Sequence, residues 1–312
     1  MRPGQVLRQA GPLLSYSWLG YRARRLFWRP LALDFSGQHW VVTGAARGLG
    51  QALTLQALRA GARVSAVGRN LASLQQLQDA ARAQGTPQLQ AEVCDCALQS
   101  EVEGLVRRLA GGPAPVDVLV HNAGQLQHRL TLTAEGREAS FATNLLAPWL
   151  LTEGLAQAGA LTAHRPLVLC MASEGGTRQP LDLARLHIRD PARYRGLQAY
   201  GQHKRAQIAL AGHWRQRLQG QGGDAYALHP GWVDTALLRT ALPGFHATRR
   251  LWLRDTAAGI DTALWLAATR PPAPDGACIW FDRAPRPLDP GADAGPDGPA
   301  LAAWLQRETG RC

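Results

Sequence analysis

The sequence contains almost no lysine. Lysine occurs once, at position 204, while arginine supplies the other 33 of the 34 basic side chains. The chain is also rich in glycine and proline and poor in isoleucine, which indicates a coding bias that replaces lysine wherever arginine serves. A lysine that survives this bias is expected where a compact ammonium is needed and a broad guanidinium fails. The alternative is a leftover lysine on the surface.

Cysteine is also scarce, with five residues in the chain. Cys94 and Cys96 are too close for a C-x-x-C motif, and no second pair follows at zinc spacing. An odd, sparse set of cysteines is typical of a reducing compartment. We therefore expect a cytoplasmic protein with no disulfide framework and no metal site.

Acidic residues are missing from residues 1–33, where six arginines alternate with leucines and aromatic side chains. The uncharged stretch 9–21 is too short to span a bilayer, and no clear signal-peptide cleavage site follows it. Two arrangements remain. The segment lies on an anionic membrane as a peripheral contact, or it forms a helix that packs its aromatic side chains on the rest of the protein. We favour the second arrangement.

The overall balance of charge is strongly basic, with a formal net charge of +11. Outside the N-terminus the arginines are scattered, and the sequence has no zinc-finger spacing, no aromatic RNA-binding signature and no basic zipper. We therefore expect no nucleic-acid partner. A hydrophobic content of 46% predicts a globular protein with a large core.

Short apolar runs alternate with helical periodicity along most of the chain, which predicts right-handed crossovers and a parallel sheet. The expected fold is α/β, a doubly wound parallel sheet of Rossmann type in one domain over 37–283. Short extensions, 1–36 and 284–312, flank it; 284–299 is expected to be a loose tail and 301–307 a short helix. The strands are predicted at 39–43, 63–67, 88–93, 116–120, 167–171, 225–229 and 277–281. The helices are predicted at 49–60, 71–83, 98–109, 134–158, 199–219 and 256–268.

A glycine-rich loop joins the first predicted strand to the first predicted helix. Glycine lets the backbone approach a pyrophosphate closely, and the start of the helix supplies amide donors and the positive end of its dipole. The position of the loop between the first strand and the first helix indicates a dinucleotide site more specifically than the glycines alone do. The cofactor-binding residues predicted here are Thr43, Gly44, Arg47, Gly48, Leu49 and Gly50.

The second strand ends without the acidic residue that usually holds the ribose hydroxyls of NAD. Arg69 stands there instead, and its guanidinium could bind a 2′-phosphate with Arg47 beside it. The sequence therefore favours NADP over NAD. Asp95, just after the third strand, either accepts a hydrogen bond from the adenine amine or caps the next helix, and both alternatives stay open.

Six motifs occur in order along the chain: Thr43-Gly44-x-x-x-Gly48-x-Gly50, Asn122-Ala123-Gly124, Asn144, Ser173, Tyr200-x-x-x-Lys204 and Pro230-Gly231. Over roughly residues 37–283 the chain resembles the short-chain dehydrogenase/reductase superfamily. The segment 181–197 resembles an insertion of retinol-dehydrogenase-like members, and 229–246 is similar to dehydrogenase/reductase member 12-like proteins. His121, Ala172 and His203 depart from the usual family residues and leave the shape of the substrate open.

Tyr200 and Lys204 are four residues apart, so they share one face of a helix. A nearby ammonium and a positive nicotinamide ring both favour the phenolate of a tyrosine, whose reference pKa is about 10. The resemblance implies that Tyr200 is the general acid or base, that Ser173 holds the substrate oxygen and that Lys204 also binds the ribose. Asn144 would hold a water that links the lysine to solvent.

The resemblance also implies contacts with the rest of the cofactor. Asn122, Ala123 and Gly124 would line the cofactor. Pro230, Gly231 and the backbone at Val233 would fix the nicotinamide carboxamide. Thr235 would reach the same group or the pyrophosphate.

The segment 236–253 is rich in leucine and aromatic side chains, and we interpret it either as a lid over an apolar substrate or as a plain connecting loop. The first hypothesis is an NADP(H)-dependent oxidoreductase that acts on a lipophilic alcohol or carbonyl. The alternative is a catalytically silent NADP(H)-binding regulator or scaffold. Contact of 1–33 with a membrane is compatible with either, and analogy with the family suggests a homo-oligomer.

Overall fold

The computed structural model describes residues 15–161, 165–295 and 297–310. Its eight strands form a single sheet with the spatial order β3-β2-β1-β4-β5-β6-β7-β8. The strands in chain order are β1 (His39–Thr43), β2 (Arg63–Gly68), β3 (Leu89–Val93), β4 (Val118–His121), β5 (Leu167–Met171), β6 (Asp224–Leu228), β7 (Cys278–Phe281) and β8 (Ala284–Pro287).

Helices cover both faces of the sheet. A π-helical segment, Ala142–Leu146, joins two of the α-helices, and 3₁₀ turns occur at Glu174–Thr177, Leu183–Arg185, Gln219–Gln221 and Arg250–Trp252. The α-helices are α1 (Trp18–Arg25), α2 (Gly48–Arg59), α3 (Leu71–Ala83), α4 (Gln99–Ala110), α5 (Ala139–Phe141), α6 (Ala147–Gln157), α7 (Gly196–Leu218), α8 (Ala236–Ala241), α9 (Pro243–Arg249), α10 (Thr256–Thr269) and α11 (Gly298–Thr309).

The strand order reverses at β1, which pairs in parallel with β2 on one side and β4 on the other. Strands β1 to β7 are all parallel to one another, and only β8 is antiparallel, to its neighbour β7. The prediction of a doubly wound parallel sheet is confirmed. Ligands of such sheets bind beyond the carboxyl ends of the strands, at the reversal point, and this is where the glycine loop leaves β1.

Two hydrophobic layers sandwich the sheet, because adjacent residues of a strand point to opposite faces. Val41 of β1 belongs to the layer formed with α4, α6, α7 and α11. Its neighbour Val42 belongs to the layer formed with α2, α3 and α10. Burial on both faces explains why the predicted strands are continuous apolar runs rather than alternating ones.

The expectation of a loose tail over 284–299 is wrong for residues 284–287, which form β8 against β7. Pro285 and Pro287 made this segment look irregular, but proline is tolerated in an edge strand because its missing N–H faces outward. The predicted terminal helix is also longer than expected. It buries Leu301 and Leu305 in the core.

The N-terminal helix α1 packs on the body of the protein. Tyr21 and Arg24 are buried, and the Arg24 guanidinium pairs with the Asp282 carboxylate at 2.5 Å. Residues 1–14 of the predicted extension lie outside the described residues. None of the described helices is long and apolar enough to cross a membrane.

Candidate active site

The glycine loop has the backbone geometry that only glycine adopts easily. Gly44 and Gly48 have φ values of +65° and +57°. A Cβ at Gly50 would collide with the Gly44 carbonyl oxygen and lie 2.5 Å from Asn122 Nδ2. No described side chain caps the start of α2, where Arg47 is the extended N-cap residue. Its first N–H groups are therefore available for a phosphate, as a dinucleotide site requires.

The loops after β1 and β4 are locked together by hydrogen bonds. Thr43 Oγ1 accepts from the backbone N–H groups of Asn122 and Ala123, both at 3.0 Å, and donates to the Val120 carbonyl at 3.2 Å. Asn122 Nδ2 donates to the Thr43 carbonyl at 2.9 Å. These hydrogen bonds hold the two loops together at the reversal point of the sheet. They bring three of the predicted cofactor-binding residues into contact, namely Thr43, Asn122 and Ala123.

Arg47 and Arg69 lie at neighbouring turns of the same edge. The Ala45 N–H donates to the Val67 carbonyl at 3.0 Å, which holds the glycine loop against the end of β2. Both arginines are exposed, and within the described residues neither forms an ion pair or a hydrogen bond through its side chain. Both guanidiniums are therefore available for an anion, while their contact with a 2′-phosphate stays a prediction.

Asp95 closes the turn that precedes α4. Its Oδ1 accepts from the Ala97 N–H at 2.9 Å, and its own N–H donates to Glu101 Oε2 at 2.6 Å. Leu98, not Asp95, is the N-cap residue of α4. One carboxylate oxygen of Asp95 thus has a structural role, and the adenine contact stays a prediction.

The sole lysine is buried rather than left on the surface. Lys204 is 3% exposed, and its Nζ donates to the Met171 carbonyl at 2.7 Å and to Gln207 Oε1 at 3.0 Å. Burial lowers the pKa of Lys204 to about 8. An ammonium has three protons, so these two bonds leave one for a ligand hydroxyl.

Tyr200 lies beside this ammonium, with Nζ 5.5 Å from the centroid of its ring. Its hydroxyl shares a hydrogen bond with the Ser173 side chain. We expected the neighbouring charge to lower the pKa of the phenol. Burial instead raises the pKa of Tyr200 to about 12. The hydrogen bond to Ser173 lowers this pKa, but its effect is smaller than that of burial. The phenol therefore keeps its proton at neutral pH.

Asn144 lies in the π-helical segment and is fully buried. Its side-chain amide accepts from the Gln125 N–H and donates to the Gln125 carbonyl, both at 2.8 Å. Its backbone carbonyl accepts from Gln207 Nε2 at 2.5 Å. Since Gln207 Oε1 also accepts from Lys204, the Gln207 side chain joins the lysine directly to Asn144.

Sequence reasoning missed Gln207. The signal was its position three residues after Lys204, which places both side chains on one face of α7. Nothing local distinguishes this glutamine from the many others in the chain, because the partner that identifies it lies on another element.

The loop after β6 carries the residues predicted to fix the nicotinamide. Gly231 has a φ of +84°, and a Cβ there would lie 2.5 Å from Arg254 Nε. Val233 pairs with Arg254 in an isolated parallel bridge. The Asp234 N–H donates to the Arg254 carbonyl, and the Arg254 N–H donates to the Trp232 carbonyl. Among the described residues the Val233 N–H has no acceptor, so it fits the predicted contact with a carboxamide.

Thr235 lies beside the glycine loop. Its Oγ1 accepts from the Leu238 N–H at 3.2 Å and caps α8. Its methyl group would be 3.9 Å from a Cβ at Gly48. This position is within reach of a group bound at the start of α2.

A buried ionic cluster behind this loop was also missed. Asp282 pairs with Arg254 at 2.6 Å and with Arg24 at 2.5 Å. Arg254 Nε in turn donates to the Tyr16 carbonyl at 2.9 Å, and the Trp232 N–H donates to the same oxygen at 3.1 Å. The cluster ties the N-terminal segment to the loop after β6.

The predicted lid forms two short helices, α8 and α9, followed by a 3₁₀ turn. His128 Nε2 lies 2.5 Å from the Ala241 carbonyl, which joins the lid to the loop after β4. Phe245 meets Trp232 edge-on at 5.0 Å between ring centroids. The segment is thus more ordered than a plain connecting loop, while its closure over a substrate stays a prediction.

Comparison with known proteins agrees with this geometry. The sequence model of the short chain dehydrogenase family matches residues 38–184. The chain is 31% identical over 283 residues to dehydrogenase/reductase SDR family member 12 from Bos taurus, covering 88% of this chain and 86% of that protein. It is 32% identical over 260 residues to a protein provisionally named daunorubicin C-13 ketoreductase from Streptomyces sp. strain C5, covering 83% and 88% of the two chains.

A solved structure shares the fold. A provisionally assigned NAD(P)-dependent gluconate 5-dehydrogenase from Beutenbergia cavernae, with NADP bound at low occupancy, aligns with a TM-score of 0.61 and 25% identity. The alignment covers 75% of this chain and 91% of that protein. With the sheet order, the glycine loop and these similarities together, the chain belongs to the short-chain dehydrogenase/reductase superfamily of oxidoreductases.

Proposed function

We propose that this protein is an NADP(H)-dependent oxidoreductase that transfers a hydride between the nicotinamide and a lipophilic carbonyl or alcohol, with Tyr200 as the general acid or base. One observation carries the proposal. A buried ammonium, Lys204, lies 5.5 Å from the ring of Tyr200, whose hydroxyl bonds to Ser173. A scaffold that only bound a cofactor would need no such arrangement.

The residues around the reversal point of the sheet fit a dinucleotide. The uncapped start of α2 would hold the pyrophosphate, and the third proton of Lys204 would bond to a ribose hydroxyl. Arg47 and Arg69 would bind the 2′-phosphate, which distinguishes NADP from NAD. When bound, the cofactor supplies or accepts the hydride.

The protein groups would handle the proton. In carbonyl reduction Ser173 holds the substrate oxygen by a hydrogen bond, and Tyr200 donates its proton to that oxygen. The Lys204 ammonium stabilises the phenolate that remains. A phenol with a pKa of about 12 beside an amine with a pKa of about 8 is protonated at neutral pH. Carbonyl reduction needs a protonated phenol at the start, because Tyr200 then acts as an acid. The protonation state of Tyr200 therefore favours carbonyl reduction over alcohol oxidation.

A lipophilic substrate is supported by the residues of the lid. Leu237, Leu238 and Phe245 are partly buried in this segment, close to the loop after β6. The similarity to a protein named for a C-13 ketone of daunorubicin also supports a carbonyl substrate. Apolar surface in a site favours binding of a substrate with a matching apolar surface.

Cofactor binding and turnover test this proposal separately. We would titrate the protein with NADPH and with NADH by intrinsic fluorescence, then screen aldehydes, ketones, retinoids and steroids for loss of NADPH absorbance. We expect tighter binding of NADPH and turnover on at least one carbonyl, with turnover lost in Tyr200→Phe and NADPH binding retained. Tyr226→Phe is a matched control, because its hydroxyl bonds to Asp224 and Pro271, away from the site.

Other results would contradict the proposal. Tight NADPH binding with no turnover across the panel would favour the silent regulator or scaffold. A preference for NADH would overturn the assignment of Arg47 and Arg69. Turnover in Tyr200→Phe equal to that of the wild type would remove the proposed role of the phenol.

A further inference from the structure

The helix α1 departs from the pattern of an ordinary surface helix, because it buries one arginine and exposes apolar side chains. Its inward face buries Arg24, while Trp18 and Leu19 face outward. Just beyond the helix, Leu26 is 82% exposed and Phe27 is 69% exposed. Surface helices normally bury apolar residues and expose charged ones. The packing of α1 on the body therefore leaves an apolar face without a partner among the described residues.

This face extends onto the lid. Trp18 Nε1 donates to the Leu251 carbonyl at 2.8 Å, and the Leu251 side chain is 76% exposed. Of the nine large hydrophobic side chains exposed among the described residues, five lie on α1, just after it, or at Leu251 beside Trp18. We call this set the N-terminal patch, and it consists of Trp18, Leu19, Leu26, Phe27 and Leu251. Exposed apolar side chains concentrated in one segment indicate an interaction site, whereas isolated exposed residues do not.

The exposed charged residues on α1 and just after it are all arginines. Arg22, Arg25 and Arg29 are exposed beside the N-terminal patch, and Arg250 precedes Leu251. The Arg22 guanidinium lies 5.8 Å from the centre of the Trp18 ring. No acidic residue occurs before Asp34. Arginines that surround leucine and aromatic side chains match a surface of phosphate headgroups over acyl chains.

A second copy of this chain fits the same surface poorly. Two copies related by a two-fold axis would bring the same arginines together, because a symmetric contact uses the same surface on both sides. Like charges at such a contact oppose association. An anionic lipid surface has no such conflict.

We propose that the N-terminal patch is a docking surface for an anionic membrane. Trp18, Leu26 and Phe27 enter the headgroup region. Arg22, Arg25 and Arg29 contact lipid phosphates. Because Leu251 belongs to the lid segment, docking places this side of the lid against the lipid. The proposal is independent of the proposed oxidoreductase activity, since it concerns a surface outside the catalytic residues.

Vesicle flotation tests this with the full chain and four variants. The vesicles contain phosphatidylcholine alone or with 30% phosphatidylserine. The variants are the pairs Leu26→Glu/Phe27→Glu and Arg22→Gln/Arg25→Gln, and the matched control pair Leu71→Glu/Val93→Glu, whose side chains are exposed on other surfaces. The single variant Phe27→Ala keeps the charge unchanged. Thermal unfolding of each variant checks that the fold is retained.

We expect the wild type and the control pair to float with the anionic vesicles and not with phosphatidylcholine alone. The Leu26/Phe27 pair should lose binding at least about tenfold. The Arg22/Arg25 pair should lose it about thirtyfold, at roughly 1 kcal/mol for each arginine near an anionic surface. Phe27→Ala should weaken binding less than the glutamate pair.

Three results would overturn the proposal. The first is failure of the wild type to float with anionic vesicles. The second is equal binding by the control pair and the patch variants. The third is self-association of the wild type in sedimentation velocity that disappears in the Leu26/Phe27 pair, without any vesicle binding, which would make the N-terminal patch a contact between copies.

Discussion

Burial shifts the pKa values of Lys204 and Tyr200 in opposite directions, although the two groups are neighbours on one turn of α7. The ammonium nitrogen lies 5.5 Å from the centroid of the tyrosine ring. Desolvation favours the neutral form of each group, so the pKa of the lysine falls to about 8 and that of the tyrosine rises to about 12. Between these two values the phenol is protonated and the amine becomes neutral.

This relationship predicts the pH dependence of carbonyl reduction. As the pH rises through about 8, Lys204 loses its proton and can no longer stabilise the phenolate that forms on Tyr200. We expect kcat/KM for NADPH to be constant between pH 6 and 7.5 and to fall about tenfold per pH unit above about 8, since this parameter reports the free enzyme. Steady-state rates between pH 6 and 10 measure it. A constant value up to pH 10 would contradict the role of the ammonium.

Gln207 is expected to position Lys204 and to support its charge. Gln207→Leu removes the acceptor that lies 3.0 Å from Nζ, so the pKa of the lysine should fall and the alkaline limit of activity should move to lower pH. Gln207→Glu places a carboxylate there and should move the limit to higher pH. The pH profiles of kcat/KM for both variants test whether Gln207 supports the charge of Lys204. A purely structural role would lower activity equally at every pH and leave the limit in place.

Arg69 is expected to distinguish NADPH from NADH. A hydrogen bond to a charged group contributes about 1.5–3 kcal/mol, so Arg69→Ala should weaken NADPH binding roughly 10- to 100-fold and change NADH binding little. Fluorescence titration of both cofactors measures this. Arg82→Ala is a suitable control, because this exposed arginine pairs with Asp79 on α3. Equal losses for the two cofactors would contradict a contact with the 2′-phosphate.

Asp282 is expected to be among the most important polar residues for stability. Asp282→Asn leaves Arg24 and Arg254 buried without their shared carboxylate, and breaking a buried ion pair costs about 3–5 kcal/mol of unfolding free energy. Asparagine tolerates the backbone of this residue, whose φ is +49°. Urea unfolding measures the loss.

The control for this prediction is Asp79→Asn, which breaks an ion pair whose two side chains are 63% and 72% exposed. Exposed pairs contribute about 0–1 kcal/mol. A loss for Asp282→Asn no larger than that of the control would show that the cluster is dispensable for folding.

The sequence predicted the elements whose signals are local. Helix α3 has the predicted bounds, because Asn70 caps its first turn and Gly85 follows its end. The long helix expected from 134 begins instead at Ala139. Leu132 pairs with Glu138 around Gly136, and the Glu138 carboxylate then caps the helix. Alanine and glutamate before that point gave a helical pattern that the turn overrides.

The candidate site was predictable to the same extent. Tyr200 and Lys204 were found because four residues on a helix bring two side chains together. The ionic cluster was not found, since Arg24 and Asp282 are separated by 258 residues and no periodic pattern connects them. The raised pKa of Tyr200 was not predicted either, because burial of its hydroxyl depends on the packing around it.

The central claim is that this site needs a lysine where the rest of the chain uses arginine. Single-turnover oxidation of bound NADPH by the best carbonyl substrate, followed by stopped-flow absorbance in Lys204→Arg, tests it most directly. Arginine keeps the positive charge but not the compact ammonium held by Met171 and Gln207. We predict a rate at least about 100-fold below that of the wild type. A rate within about threefold of the wild type would contradict the account.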